Sequence, residues 1–229
     1  MTQRPLKLLS SMAAREVLAE LIRGFTAETG RPVAAEAAGG VEVARRVQAG
    51  EAVDVVVLSD SAIDKLIGAA ALRPGRVDLV KSGVAIAVRS GARRPDISTE
   101  AAVKAAVSAA ASLSYSTGPS GVYLEKLFER WGLLEAIRTR IVVPPPGIPV
   151  GSLVASGTAA LGFQQLSELM NVAGIEVLGP LPASIQTITT FSAGIGVGCD
   201  QPQLAAQLLD FMRRPAAAEV KQRFGMEAA

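Results

Sequence analysis

The sequence contains no histidine, and Cys199 is the one cysteine among its 229 residues. Histidine is the commonest general base and zinc ligand, and a single thiol forms no intramolecular disulfide. Any chemistry must therefore use carboxylates, hydroxyls, Lys, Arg or backbone groups. We expect Cys199 to be a small buried hydrophobe within the apolar run 195–199, and we expect neither a metal nor a cofactor.

Aromatic residues are also scarce, at 4%, so the core must be built mainly from Ala, Val, Leu and Ile. Charged residues make up 19% and hydrophobic residues 49%, which is typical of a compact globular protein. The net charge of +2 is small and no basic run with interleaved aromatics occurs, so a nucleic-acid partner is not expected.

Long hydrophobic runs are missing as well. No stretch approaches the roughly 20 apolar residues of a membrane span, so membrane insertion is not expected. The first residues, MTQRPLKLLSS, lack the pattern of a signal peptide. The chain as written is predicted to be cytoplasmic, and periplasmic if a leader has been removed from it.

Strands and helices alternate along the chain. Short apolar strands at 6–10, 33–37 and 53–58 are each followed by a segment of helical periodicity, which predicts a parallel sheet with ligand loops at the carboxyl ends of the strands. A long apolar segment at 77–88 is interrupted at 81–83. Residues 88–184 repeat the alternation, with a strand expected near 141–143, and an extended segment at 185–199 then precedes two terminal helices. The pattern predicts an α/β protein.

This alternation also predicts two lobes of mixed, mostly parallel sheet flanked by helices: residues 1–87 with 185–229, and residues 88–184. Two crossover segments, near 83–90 and 184–192, are expected to join them. Such a protein suits a ligand that is bound in an interlobe cleft by hinge closure.

The stretch 114–131, SYSTGPSGVYLEKLFERW, reads as a strand that includes Tyr115, a tight turn, and a helix. The first N–H groups of a helix have no internal partner, and Gly118 and Gly121 leave room for ligand oxygens to approach them. Ser120 has two interpretations: it caps its own helix, or it binds an anion together with the neighbouring backbone. The position of the stretch in the second lobe favours the anion.

Several segments spread over nearly the whole chain carry a family resemblance. They are Leu9-Ser10-Ser11 and residues 25–30, 43–50, 53–60, 119–123, 154–157 and 162–168. In order and spacing they resemble the type II periplasmic solute-binding proteins, and among these the molybdate-binding branch of the ABC importers. The resemblance implies a small anion that is bound by hydroxyls and backbone N–H groups, and an ABC permease as partner if the chain is exported.

Carried over position by position, the resemblance implies ligand-binding positions in both lobes. Those in the first lobe are Ser10 or Ser11 with the adjoining Met12, and Gly39, Gly40 and Val41. Those in the second lobe are Tyr115, Ser120, Gly121, Tyr123, Pro149 in the loop 147–149, and Gln165. For Ser11 the alternative is helix capping, and for Tyr123 and Gln165 it is packing within the lobe.

Two positions depart from the molybdate-binding pattern. Gly39-Gly40-Val41 replaces a serine-rich loop, and Gln165 replaces the tyrosine that closes the oxyanion site. Both changes remove hydroxyl donors, and an amide in a larger pocket suits a di- or tricarboxylate better than molybdate. The segments Ser10-Ser11-Met12-Ala13, 162–169 and 179–182 resemble a divergent branch of the same fold that contains aconitate isomerase.

Three functions remain open from the sequence. The first is a binding protein that clamps a small anion, and the second is a cofactor-independent isomerase that shifts a double bond in an unsaturated polycarboxylate. An isomerase needs a base of tuned pKa, for which the candidates are Glu36, Glu42, Asp60, Glu125 and Glu168, with Tyr115 or Tyr123 as acids. The third is a detached effector domain of a transcriptional regulator.

Overall fold

The computed structural model describes residues 4–145 and 147–229. Residues 1–3 of the predicted first lobe thus lie outside the described residues. The described chain divides into two compact units, of which the first extends to Ser82 and resumes with Thr190–Ala229, and the second is Gly83–Thr189. The lobe boundaries at 87/88 and 184/185 stay a prediction, and the chain crosses between the units at 82/83 and 189/190.

The elements follow one another along the chain as alternating strands and helices. The strands are β1 (Leu6–Ser11), β2 (Val33–Ala38), β3 (Val55–Ser59), β4 (Val77–Arg89), β5 (Leu113–Tyr115), β6 (Leu161–Gln165), β7 (Ile175–Pro180), β8 (Ile188–Ile195) and β9 (Glu227–Ala228). The helices are α1 (Arg15–Thr29), α2 (Gly40–Gln48), α3 (Asp60–Gly68), α4 (Glu100–Ala109), α5 (Pro119–Arg130), α6 (Leu134–Ile137), α7 (Val150–Ala155), α8 (Leu166–Leu169), α9 (Pro202–Arg213) and α10 (Ala217–Arg223). Short 3₁₀ turns lie at Met12–Ala14, Arg138–Arg140 and Ala183–Ile185.

In the first unit, β1 lies between β2 and β3 and is parallel to both. The far side of β3 pairs antiparallel with β8, and β9 pairs antiparallel with the beginning of β4. Because β1, β2 and β3 are parallel, their carboxyl ends lie at one edge of the sheet. The loops that lead into α2 and α3, and the 3₁₀ turn before α1, all start from this edge.

Helices cover both faces of the first sheet. The apolar residues of α1 recur at helical spacing and are buried with α9, α10 and one face of the strands, while α2 and α3 pack on the other face. α1 ends at Gly30, whose φ of +68° is a left-handed conformation that glycine adopts without steric cost. Successive residues of β1 therefore point to different helix layers, which decides the direction of the two serines at its end.

In the second unit, β6 is parallel to β5 and antiparallel to β4, and β7 pairs antiparallel with the other edge of β4. α4 and α5 pack on one face of this sheet, around the edge-to-face rings of Phe128 and Phe163. A smaller cluster contains Ala85, Ala87 and Leu169, which pack with Leu166, Ile175 and Val177. The predicted α/β class with mixed sheets is confirmed, but the sheets are not mostly parallel as predicted. Among the described residues, the antiparallel pairs β3–β8, β4–β6, β4–β7 and β4–β9 outnumber the parallel pairs β1–β2, β1–β3 and β5–β6.

Three local predictions differ from the structure. Residues 141–143 form no strand, because only a single bridge joins Ile141 to Leu113. β4 continues through 81–83, where the pattern indicated an interruption, and next to Gly83 the Gln186 side-chain amide accepts from the Val84 N–H and donates to the Val84 carbonyl, each at 3.0 Å. The short helix α6 was not predicted from the sequence. Within residues 4–145 and 147–229, no helix is long and apolar enough to span a membrane.

Candidate functional site

The carboxyl ends of β1 and β2 lie side by side in the first unit, with Ser11 paired in register with Ala38. Leu6 and Leu8 pack in the α1 layer and Leu9 in the α2 layer, so by strand alternation Ser10 faces α1 and Ser11 faces α2. Ser10 and Ser11, between which the resemblance left a choice, therefore face different helix layers.

The Ser11 hydroxyl is buried and has no hydrogen-bond partner within the described chain. The residue is 7% exposed. It occupies the N-cap of the Met12–Ala14 turn, but its side chain makes no capping hydrogen bond. The capping interpretation of Ser11 is therefore wrong. A buried hydroxyl without a hydrogen-bond partner costs free energy, which indicates that a ligand or a water molecule forms a hydrogen bond with it.

Gly40 opens α2 directly beside Ser11. A Cβ atom added at Gly40 would lie 3.7 Å from the Ser11 Cβ. No side chain caps α2, whose N-cap residue is Gly39. Val43 is the first residue of α2 whose N–H donates a hydrogen bond to a preceding carbonyl, that of Gly39, at 2.9 Å.

The N–H groups of Gly40 and Val41 thus have no helical acceptor and lie at the positive end of the helix. We call the Ser11 hydroxyl and these two N–H groups the first donor set. The Val41 side chain itself points into solvent, at 67% exposed. Met12 is half-buried in the 3₁₀ turn that follows Ser11.

The start of α5 in the second unit has the same character. Gly118 is its N-cap residue without a side-chain cap, Pro119 has no N–H, and Val122 donates to the Gly118 carbonyl at 3.1 Å. The N–H groups of Ser120 and Gly121 are left without a helical acceptor. Together with the Ser120 hydroxyl they form what we call the second donor set.

Ser116, which the sequence analysis did not single out, shapes this helix start. A Cβ at Gly121 would lie 1.5 Å from the Ser116 carbonyl oxygen, so only glycine fits there. The Ser116 and Ser120 hydroxyls are 3.0 Å apart and share a hydrogen bond. Ser120 is thus bonded to Ser116 and does not cap α5, which contradicts the capping interpretation of Ser120.

The two tyrosines differ in what they contact. The Tyr123 hydroxyl donates to the Ile185 carbonyl at 2.8 Å, a contact within the unit. The Tyr115 ring packs edge-on against Phe128, with centroids 5.8 Å apart. Burial, and then the nearby Glu125 carboxylate, raise the pKa of Tyr115. The raised pKa makes the Tyr115 phenol a weaker acid than usual. The Tyr123 hydroxyl proton is engaged in the hydrogen bond to the Ile185 carbonyl.

Strand alternation in β6 separates the neighbouring glutamines. Gln165 lies opposite Val84 and Gln164 opposite Ala85 in the pairing with β4. Residues directly opposite each other point to the same face, so Gln165 shares the α5 face with Val84, and Gln164 lies on the other face. Gln165 therefore stands at the carboxyl end of β6 on the same face as the second donor set.

Pro149 occupies the N-cap of α7, where it has no N–H to donate. Its carbonyl accepts the Ser152 N–H at 3.0 Å. α7 spans only Val150–Ala155, six residues. A role for Pro149 in binding stays a prediction.

The five carboxylates proposed as bases are in different surroundings. Glu36 pairs with Arg46 and Glu42 with Arg45, and these guanidinium hydrogen bonds lower the pKa of both carboxyls. Asp60 begins α3 and accepts the Ser61 N–H at 2.6 Å. The other two are Glu125, exposed on α5, and Glu168, which accepts a hydrogen bond from the Gln164 amide at 2.8 Å. The arginine pairs make Glu36 and Glu42 poor bases.

The chain is similar to known proteins over nearly its whole length. The model of the family described as bacterial extracellular solute-binding protein matches residues 6–227. An aconitate isomerase from Pseudomonas sp is 39% identical to this chain over 189 residues, which cover 81% of this chain and 71% of that protein.

Solved structures of the same fold have much lower sequence identity. The Azotobacter vinelandii periplasmic molybdate-binding protein has a TM-score of 0.80 at 22% identity, covering 98% of this chain and 99% of that one. The sulfate-binding protein SubI from Mycobacterium tuberculosis has a TM-score of 0.79 at 12% identity, covering 99% of this chain and 88% of that one. These structures confirm the fold that the sequence predicts, a type II periplasmic-binding-protein-like fold, and the chain belongs to the family of bacterial extracellular solute-binding proteins.

Proposed function

We propose that the protein binds a small di- or tricarboxylate, and that in each unit the donor set of that unit donates hydrogen bonds to carboxylate oxygens. The observation that carries this proposal is the buried Ser11 hydroxyl, which has no hydrogen-bond partner among the residues that the structure describes and lies beside the uncapped start of α2. Hydroxyls and N–H groups at helix starts bind anions without a countercharge. The uncapped start of α5 supports the same chemistry in the second unit.

The composition of the donor sets favours carboxylates over a compact tetrahedral oxyanion. Gly40 and Val41 supply backbone N–H groups but no hydroxyl, and the absence of side chains at Gly39 and Gly40 leaves space that a branched ligand can occupy. Gln165 supplies an amide, which both donates and accepts hydrogen bonds, at the carboxyl end of β6. The identity to an aconitate isomerase supports a polycarboxylate as well.

Isothermal titration calorimetry with succinate, citrate, cis-aconitate, trans-aconitate and molybdate tests this proposal. We expect binding heat with one or more of the carboxylates and weak or no binding of molybdate. Tight binding of molybdate without a heat signal from any carboxylate would contradict it.

A second candidate function is isomerisation of the bound polycarboxylate, which the 39% identity to an aconitate isomerase favours. In an allylic shift, a base removes a proton next to a carboxylate and a proton is returned two carbons away. The arginine pairs of Glu36 and Glu42 leave Asp60, Glu125 and Glu168 as the candidate bases. The donor sets would stabilise negative charge that develops on the carboxylate during the transfer.

Proton NMR of cis- and trans-aconitate with the pure protein in deuterated buffer separates the two functions. An isomerase interconverts the two compounds and incorporates deuterium at the carbon that is reprotonated. If neither isomerisation nor deuterium uptake occurs while calorimetry shows binding, the protein is a binder and the second candidate function is wrong.

In the binding role we further propose a periplasmic location and an ABC permease as partner. The extracellular description of the family supports both. Fractionation of cells that produce the natural gene product tests the location: recovery with the periplasmic fraction agrees with this role, and recovery only with the cytoplasm favours the isomerase.

A further inference from the structure

A buried hydrogen bond joins the end of β6 to the beginning of β8. The Gln165 amide nitrogen donates to the Thr189 hydroxyl oxygen at 2.8 Å. Gln165 is 4% exposed and Thr189 is 8% exposed, so solvent does not compete for this bond. The two residues are 24 positions apart in the sequence, and no sequence pattern links them.

The position of the bond relates it to the second donor set. Gln165 ends β6 on the face that carries α5, as its pairing with Val84 shows. Thr189 is the last residue of the second unit before the chain crosses to the first. The hydroxyl of Thr189 thus contacts the one glutamine of β6 that shares a face with the proposed site.

An amide side chain is nearly symmetric in shape, and its terminal torsion is broad. Its donor and acceptor ends are distinguished only by the hydrogen bonds that they form. A fixed partner at one end therefore determines whether the other groups around the amide contact its donor end or its acceptor end. In a buried network the hydroxyl that provides this partner also strengthens the other hydrogen bonds of the amide.

We propose that Thr189 is a positioning residue for Gln165: its hydroxyl fixes the orientation of the Gln165 amide and thereby its selection of carboxylate ligands. This inference rests on the proposed function, because Gln165 acts on the ligand only if the ligand is bound at this site. Thr189 itself acts through Gln165 and need not contact the ligand.

The orientation of the amide is testable without any ligand, by two-dimensional ¹H–¹⁵N NMR of the side-chain amides. The Gln165→Met variant identifies the Gln165 signals by their loss. We expect these signals to shift in Thr189→Val, which removes the hydroxyl at nearly constant shape, and to return close to their original positions in Thr189→Ser. Thr187→Val is the matched control, because the Thr187 hydroxyl makes no hydrogen bond within the described part of the chain. Unchanged Gln165 signals in Thr189→Val would overturn the positioning role.

The effect on selectivity is measured by calorimetry with citrate and cis-aconitate on the same variants. We expect Thr189→Val to weaken binding of the better carboxylate about three- to tenfold, the effect of one neutral hydrogen bond, and Thr189→Ser to restore it. Thr187→Val should bind as the wild type does. In the double variant Thr189→Val with Gln165→Met, no loss beyond that of Gln165→Met is expected, since both changes remove the same interaction.

The outcomes separate this inference from the proposed function. Wild-type protein that binds no carboxylate contradicts both. Wild-type binding that Thr189→Val leaves unchanged, or additive losses in the double variant, overturn the role of Thr189 and leave the proposed function standing. Circular dichroism melts of every variant establish that a loss of binding is not a loss of folding.

Discussion

Individual residues at two helix starts carry most of the functional argument. Ser11 has a buried hydroxyl that nothing in the described chain satisfies, and Gly121 lies where any side chain would meet the Ser116 carbonyl. Neither feature improves the packing of the protein alone. Both features are explained if the backbone and hydroxyl groups around them remain available to form hydrogen bonds with a ligand.

Ser11→Ala should weaken carboxylate binding without destabilising the protein. A hydrogen bond to a charged ligand contributes about 1.5–3 kcal/mol, so the loss of the hydroxyl should cost about 10- to 100-fold in Kd. The free energy of unfolding of the unliganded protein should stay the same or rise, because the variant removes a buried polar atom that no described residue hydrogen-bonds. Calorimetry and urea denaturation measure the two effects.

Ser61→Ala is the control for this variant, since Ser61 is exposed on α3. It should leave both quantities unchanged. An Ser11→Ala protein that binds as tightly as the wild type would remove Ser11 from the site.

Gly121→Ala should destabilise the protein by about 1–3 kcal/mol or more, the usual cost of forcing an atom into a packed site. The added Cβ would meet the Ser116 carbonyl oxygen at 1.5 Å, and the start of α5 must move to relieve this contact. Binding should be lost together with stability. Urea denaturation of the unliganded variant measures the first effect.

Gly118→Ala is the matched comparison in the same turn. Gly118 has an extended backbone with φ of −82°, and the nearest atom to an added Cβ would be the Ser116 Oγ at 3.8 Å. We expect a change in unfolding free energy well below that of Gly121→Ala. Equal effects of the two substitutions would contradict the close contact at Gly121.

The sequence predicted which residue types would form the site but not their partners. Hydroxyls and glycines at the ends of strands are visible as short motifs, which is why Ser11, Gly40, Ser120 and Gly121 could be named. The hydrogen bond from Tyr123 to Ile185 joins residues 62 positions apart and has no local signal. The same holds for Thr189, whose relation to Gln165 depends on the arrangement of β6 and β8.

At the scale of elements, continuous apolar runs and helix boundaries were the most predictable features. β1, β3 and α1 follow directly from hydrophobic periodicity and from Gly30. The segment 141–143 was predicted as a strand but makes only one bridge, because strand pairing depends on a neighbour that the segment itself does not specify. The residues Lys81-Ser82-Gly83 likewise contain no local signal for the continuity of β4.

Ion pairs between elements give the first unit a predictable response to acid. Glu51, in the loop before β3, accepts hydrogen bonds from Arg46 of α2 at 2.6 Å and from Lys7 of β1 at 2.7 Å. Arg46, and then Lys7, lower the pKa of Glu51 from 4.5 to about 2. Because the folded state has the lower pKa, the stabilisation is fully present above pH 4.5 and is lost as the pH falls toward 2.

Glu51→Gln should therefore be less stable than the wild type at pH 7, and the difference should shrink as the pH falls through this window. Urea midpoints at several pH values measure it. Glu129→Gln is the control, since Glu129 has no ion pair within the described residues. A difference between Glu51→Gln and the wild type that does not change with pH would contradict the assignment of the acid response to Glu51.

At the scale of the whole molecule, each unit contains one donor set at the start of a helix that follows a parallel strand. The first set belongs to α2 and the second to α5, and the family to which the chain belongs binds solutes. The composition of the whole chain agrees with anion binding by these donor sets. The chain contains no histidine, and an anion can be bound by neutral hydrogen-bond donors alone.

A ligand that binds only the folded protein raises its apparent stability by mass action. At a free concentration of 100 times Kd the gain is about 2.7 kcal/mol. The melting temperature should therefore rise with the concentration of the bound carboxylate, and Ser11→Ala should need a higher concentration for the same rise. A melting temperature that is independent of every carboxylate tested would contradict binding to the folded state.

The most direct test of the central claim is a crystal structure of the protein grown with the carboxylate that binds most tightly in calorimetry. We expect carboxylate oxygens within hydrogen-bond distance of the Ser11 hydroxyl and the Gly40 and Val41 N–H groups in the first unit, and of the Ser120 and Gly121 N–H groups in the second. A carboxylate bound elsewhere, with the Ser11 hydroxyl satisfied by a protein group, would contradict it.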